Sequence, residues 1–125
     1  MDTAVLFVVF NRLDTVKQVF ERIKFAQPKR FYVAADGPRL NVENEKQKCD
    51  EVRDYITSNV DWDCEVKTLF RKENIGCKFA LKTSLDWFFE HEEQGIILED
   101  DCLAAPDFFN YAETLLNKYK NLINP

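Results

Sequence analysis

Ala4 to Phe10 (AVLFVVF) is seven residues without a polar side chain, rich in Val and Phe. A strand with one face in water would alternate. An unbroken apolar run of this length is what a strand buried on both faces looks like, and that burial is the habit of parallel sheets. The residues that follow support this. Asn11-Arg12-Leu13 breaks the run, and Asp14 is placed to cap a helix whose Val16, Val19, Phe20 and Ile23 recur at i, i+3, i+4 and i+7. Gln27-Pro28 stops that helix, and Arg30 to Ala35 (RFYVAA) forms a second strand, closed by the turn Asp36-Gly37-Pro38-Arg39.

The alternation continues. Cys49, Val52, Tyr55 and Ile56 mark a helix from about Glu43 to Ser58, and Asp63 to Phe70 (DCEVKTLF) alternates enough to be a third strand, nearer an edge. After the loop Arg71 to Gly76, an aromatic helix runs from Lys78 to about Glu90 with Leu81, Leu85, Phe88 and Phe89 on one side. The fourth strand is Gly95 to Leu98. A last helix starts at Ala105-Pro106 and turns Phe108, Ala112, Leu115 and Tyr119 inward. The order β-α-β-α-β-α-β-α predicts one α/β domain: a Rossmann-like parallel sheet with helices on both faces.

In such sheets a ligand sits outside the carboxyl ends of the strands. Those four ends here are Asn11-Arg12, Asp36-Gly37, Arg71 to Gly76, and Glu99-Asp100-Asp101, polar where the strand bodies are apolar. Three adjacent carboxylates repel one another, and a hard divalent cation is a physical reason to gather them. Alternation along a strand sends Glu99 and Asp101 one way and Asp100 the other. Arg12 and Arg71 place cations at the same rim, so the combination suits a metal-bound diphosphate. Asp36 is positioned to accept hydrogen bonds from a base or sugar edge. No glycine-rich phosphate loop of the dinucleotide or P-loop type occurs.

Composition narrows the remaining classes. A net charge of −5 without a basic stripe excludes a nucleic-acid binder but not a nucleotide binder. The gaps between Cys49, Cys64, Cys77 and Cys102 fit neither a redox pair nor a zinc site, and the single histidine, His91, rules out a multi-His metal centre. Free thiols, no leader and no transmembrane run point to a cytoplasmic protein.

The segment Leu98 to Phe109 (LEDDCLAAPDFF) resembles the acidic-motif segment of GT-A fold glycosyltransferases, especially the N-acetylglucosaminyltransferase I-like branch, where an E-D-D tip precedes A-P-D-F-F. Val8 to Arg12, Asp36 and the Asn74-Ile75-Gly76 loop fall where that superfamily contacts its sugar nucleotide. The resemblance implies a nucleotide-diphosphate sugar donor, usually UDP-linked, a carbohydrate or other hydroxyl acceptor, and Mn2+ or Mg2+. It implies that Val8 packs on the nucleoside, Arg12 meets the diphosphate and Asp36 holds the base. Glu99 and Asp100 would lie against ribose and sugar, and Asp101 would bind the metal directly. Arg71, Asn74 and Gly76 complete the expected donor-binding set.

The resemblance covers the nucleotide-binding half only. The acceptor half and the catalytic base are therefore expected beyond Pro125, with the isolated chain inactive and self-associating through Phe109, Leu115 and Leu116. A non-catalytic nucleotide-binding module of the same fold is the alternative. A receiver-like Mg2+-binding signalling domain fits less well, since it needs acids where Asn11-Arg12 and Arg71 stand.

Overall fold

The computed structural model describes residues 1–101 and 107–123, the last five of these by backbone alone. Eight elements alternate: β1 (Val5–Val9), α1 (Leu13–Ala26), β2 (Arg30–Ala35), α2 (Glu45–Asn59), β3 (Glu65–Phe70), α3 (Cys77–His91), β4 (Ile96–Glu99) and α4 (Phe108–Ile123). The four strands form one parallel sheet in the order β3-β2-β1-β4. β1, the most apolar strand, is central and buried, while β3 lies at an edge and is half open to solvent.

Side chains alternate across the sheet and divide the core in two. Val5, Phe7, Val9, Phe31, Val33, Ile96 and Leu98 face α1 and α2. Leu6, Tyr32 and Ala34 face α3 through Phe88. The steps β1 to β2 and β2 to β3 run in one direction and the step β3 to β4 runs back, so right-handed crossovers put α3 on the face opposite α1 and α2. Phe20 is fully buried and meets Phe31, Tyr55 and Trp62 at ring-centroid distances of 6.2, 5.6 and 6.0 Å, tying α1 to β2 and α2. No helix among the described residues is long and apolar enough to cross a membrane.

Several expectations need correcting. The residue at the α1 N-cap is Arg12, not Asp14, which sits in the first turn. There an acid is favoured by the helix dipole without capping it. On α3, Phe89 stays 46% exposed while Ala80, Ser84 and Phe88 form the buried stripe. On α4 the inward stripe is Phe109, Ala112 and Leu116, with Phe108 turned outward. Phe109 is 3% exposed, so it adds nothing to an open apolar surface. Residues 102–106, where that helix was expected to begin, and the side chain of Tyr119 lie outside the described residues.

Candidate functional site

β1 and β4 are neighbours, yet the chain leaves β1 in the other direction, towards β2. The carboxyl ends of these two strands therefore flank the switch point at which open α/β sheets hold ligands. Two clefts open there. One, of about 340 Å³, lies on the α3 side and is lined by Val8, Asp36, Asn74, Gly76, Leu81 and Glu99. The other, of about 420 Å³, is lined by Asn11, Arg12, Arg39, Asp100 and Asp101. Val8, Val9, Phe10, Arg39, Cys77 and Glu99 belong to both.

The floor of the first cleft is fixed by Asp36 at the end of β2. Its Oδ1 accepts hydrogen bonds from the backbone N–H of Gly37 (2.8 Å) and of Ile75 (3.0 Å), and its Oδ2 accepts one from Asn74 Nδ2 (3.1 Å). Asn74 Nδ2 also donates to the Gly37 carbonyl at 2.8 Å. From below, Arg53 Nη2 donates to the carbonyls of Asp36 (2.9 Å) and Arg71 (2.8 Å), joining the ends of β2 and β3. The loop after β3 comes so close that any Cβ on Gly37 would overlap the backbone of Glu73. Gly76, at φ 90°, sets the first turn of α3 in a conformation that favours glycine. Asp36 is thus a structural clamp using three of its roughly four acceptor sites, and one acceptor site remains.

β4 ends at Glu99, so the alternation expected to carry Glu99 and Asp101 to one face stops there, and Asp100 and Asp101 both lie in the turn that follows. Glu99 stands in register with Val8 and shares its α3-side face. Asp100 is 8% exposed and faces the other way, where Arg12 Nη2 approaches its Oδ1 at 3.4 Å. Burial pushes the Asp100 carboxyl above its ordinary range. Arg12 opposes that shift, while Asp101 and Glu99 add to it. Asp101 is exposed at the mouth of the second cleft.

With the acids splayed in this way, no three His, Cys, Asp or Glu side chains among the described residues cluster to hold a metal ion.

Arg71 is set apart from the other expected donor-binding residues. β3 is two strands from β1, and Arg71 lines a separate groove with its Nη2 donating to Thr83 at 2.8 Å. Arg39, absent from the expected set, lines both clefts and is held by Glu45. Glu45, the first residue of α2, is 1% exposed. It accepts hydrogen bonds from Arg39 Nη2 (2.6 Å), Arg39 Nε (3.0 Å), the Arg39 backbone N–H (2.7 Å) and Asn11 Nδ2 (3.1 Å). The available signal was an arginine directly after a Gly-Pro turn at a strand's carboxyl end.

These bonds, led by the Arg39 guanidinium, hold the Glu45 carboxyl down to about 2 from an ordinary 4.5. Because the folded value lies below the unfolded one, the stabilisation is whole above about pH 4.5 and is lost as the pH falls towards 2. Acid unfolding of Glu45→Gln should lack that portion of the transition. A pH-stability profile superimposable on the wild type across that window would refute the assignment.

No protein-family model matches the chain, and neither does any curated protein or solved structure.

Proposed function

We propose that the chain supplies the donor side of a metal-dependent glycosyltransferase of the GT-A type, binding a nucleotide-diphosphate sugar, with UDP as the nucleotide, for transfer to an acceptor hydroxyl. One observation carries this reading. At the β1/β4 switch point an apolar slot ending in a carboxylate acceptor adjoins a cleft holding both arginines and acids.

Each part has work suited to it. Val8 and Leu81 give the first cleft apolar walls for a flat base, and the remaining acceptor site of Asp36 takes an imide N–H. Glu99, on the wall shared by the two clefts, meets ribose or sugar hydroxyls. Arg12 faces the diphosphate, while Asp101 holds the metal against it. Mn2+ or Mg2+, when bound, supplies Lewis-acid stabilisation to the departing diphosphate. Asp100, buried against Arg12, keeps that arginine at the cleft and adds negative potential beneath the metal site.

Cys77 offers a direct test. It is exposed and lines both clefts, whereas Cys49 is buried. UDP with Mn2+ should slow alkylation of Cys77 by N-ethylmaleimide several-fold, with the modified residue read by peptide mass spectrometry. Unaltered alkylation at millimolar UDP, together with no heat of UDP binding in calorimetry, would sink the reading.

A further inference from the structure

Besides Arg53, which ties the ends of β2 and β3 from below, three arginines stand at the carboxyl rim of the sheet, and they are not equivalent. Arg71 is engaged with Thr83 and lines neither of the two joined clefts. Arg12 lines only the second, and its link to Asp100 is long at 3.4 Å. Arg39 lines both, at their common wall.

Arg39 is also the one held in a fixed plane. Glu45 grips its Nε and Nη2 together with its backbone N–H, while Asn11 braces the same carboxylate from the end of β1. Among the described residues, no hydrogen bond reaches Nη1. The Arg39 side chain is 52% exposed although its partner carboxylate is 1% exposed. The Phe10 ring lies beneath it, 6.0 Å from the guanidinium carbon.

A buried carboxylate paired to a half-exposed arginine stabilises the fold, but a well-packed apolar pair would close the same gap at less desolvation cost. What the pair achieves is orientation. It turns a flexible side chain into a planar fork whose remaining donors are fixed before any ligand arrives.

We propose that Arg39, oriented by Glu45, is the fixed cation that grips the donor diphosphate where the two clefts meet, with Glu45 as its positioning residue. The proposal rests on the nucleotide-sugar reading above. Glu45 already offsets much of the Arg39 charge, so the gain is in aimed hydrogen bonds to phosphate oxygens rather than in net potential. Lysine, a point charge on a flexible stem, cannot reproduce it.

The test compares uridine and UDP binding by calorimetry in the presence of Mn2+, for wild type, Arg39→Lys, Glu45→Gln and the double variant Arg39→Gln/Glu45→Gln. The double variant replaces the ion pair with two neutral amides and leaves no buried charge, and its folding is checked by circular dichroism. UDP affinity should fall about 10- to 100-fold in Arg39→Lys and in the double variant, the loss of one or two charge-assisted hydrogen bonds. It should fall by a smaller factor in Glu45→Gln, and uridine affinity should be unchanged throughout. Equal losses for uridine and UDP would show a merely structural role, and full UDP affinity in the double variant would overturn the assignment alone. Absence of UDP binding by the wild type would overturn the nucleotide reading itself and this assignment with it.

Discussion

Asp36→Ala is expected to release the loop from Arg71 to Gly76 and to lower the unfolding free energy by about 2–4 kcal/mol, read from urea denaturation. Three hydrogen bonds end on this one carboxylate, and two of their donors are backbone N–H groups that nothing else at the site would satisfy. Against a typical total of about 5–15 kcal/mol, that loss is severe. Asp36→Asn separates the structural role from the binding role. The new amide oxygen, placed where Oδ1 was, still accepts from Gly37 and Ile75. The new amide nitrogen, placed where Oδ2 was, faces Asn74 Nδ2 donor to donor and presents a base with a donor in place of an acceptor. Stability should stay within about 1 kcal/mol of wild type, while UDP affinity falls about tenfold or more. Wild-type stability in Asp36→Ala would remove the clamp. Wild-type UDP affinity in Asp36→Asn would remove the base contact.

Periodicity located every described element, and it named the buried face best where the apolar residues lie on one side only. Val16, Val19, Phe20 and Ile23 are all buried on α1, and RFYVAA is β2 from its first residue to its last. Where aromatics occupy more than one face, periodicity loses its direction. α4 carries Phe108, Phe109 and Tyr111, and only the tertiary fold decides that Phe109 joins the core on the α1/α2 face of the sheet. Capping is equally local: Asp14 is a good capping residue in isolation, but the chain leaving β1 has already begun its helix at Leu13.

The site was legible in part for a topological reason. A β-α alternation brings all strand ends to one rim, which put Val8, Arg12, Asp36, Asn74, Gly76 and Glu99 to Asp101 on it. Strand order is not written in any segment, because it depends on which strand each crossover lands beside. Hence Arg71 was expected beside Arg12 at one rim, although β3 lies two strands away from β1. The pairing of Arg39 with Glu45 left no pattern beyond an arginine after a Gly-Pro turn. Two charged residues six apart, across a turn and a helix start, look like ordinary surface until the fold buries one of them.

Mn2+ and UDP are expected to bind as a pair, each raising the affinity of the other about 100-fold. Alternation on β4 sends Glu99 to the α3 side, while Asp100 is buried beside Arg12, so neither acid joins Asp101 in a ready-made cage. A hard cation offered a single protein carboxylate keeps most of its water and binds in the millimolar range. Adding diphosphate oxygens supplies the ligands the protein lacks. Linkage then requires the same factor in both directions: Mn2+ must tighten UDP as much as UDP tightens Mn2+. Asp101→Asn should abolish the coupling while changing metal-free UDP affinity less than about twofold, because the base slot and the arginines are untouched. Titration of Mn2+ by electron paramagnetic resonance, with and without saturating UDP, measures one arm, and calorimetry of UDP with and without Mn2+ measures the other. Mn2+ binding of equal strength with and without UDP would mean a preformed metal site away from the nucleotide. Full coupling in Asp101→Asn would move the metal off this residue and leave the acidic tip without its assigned role.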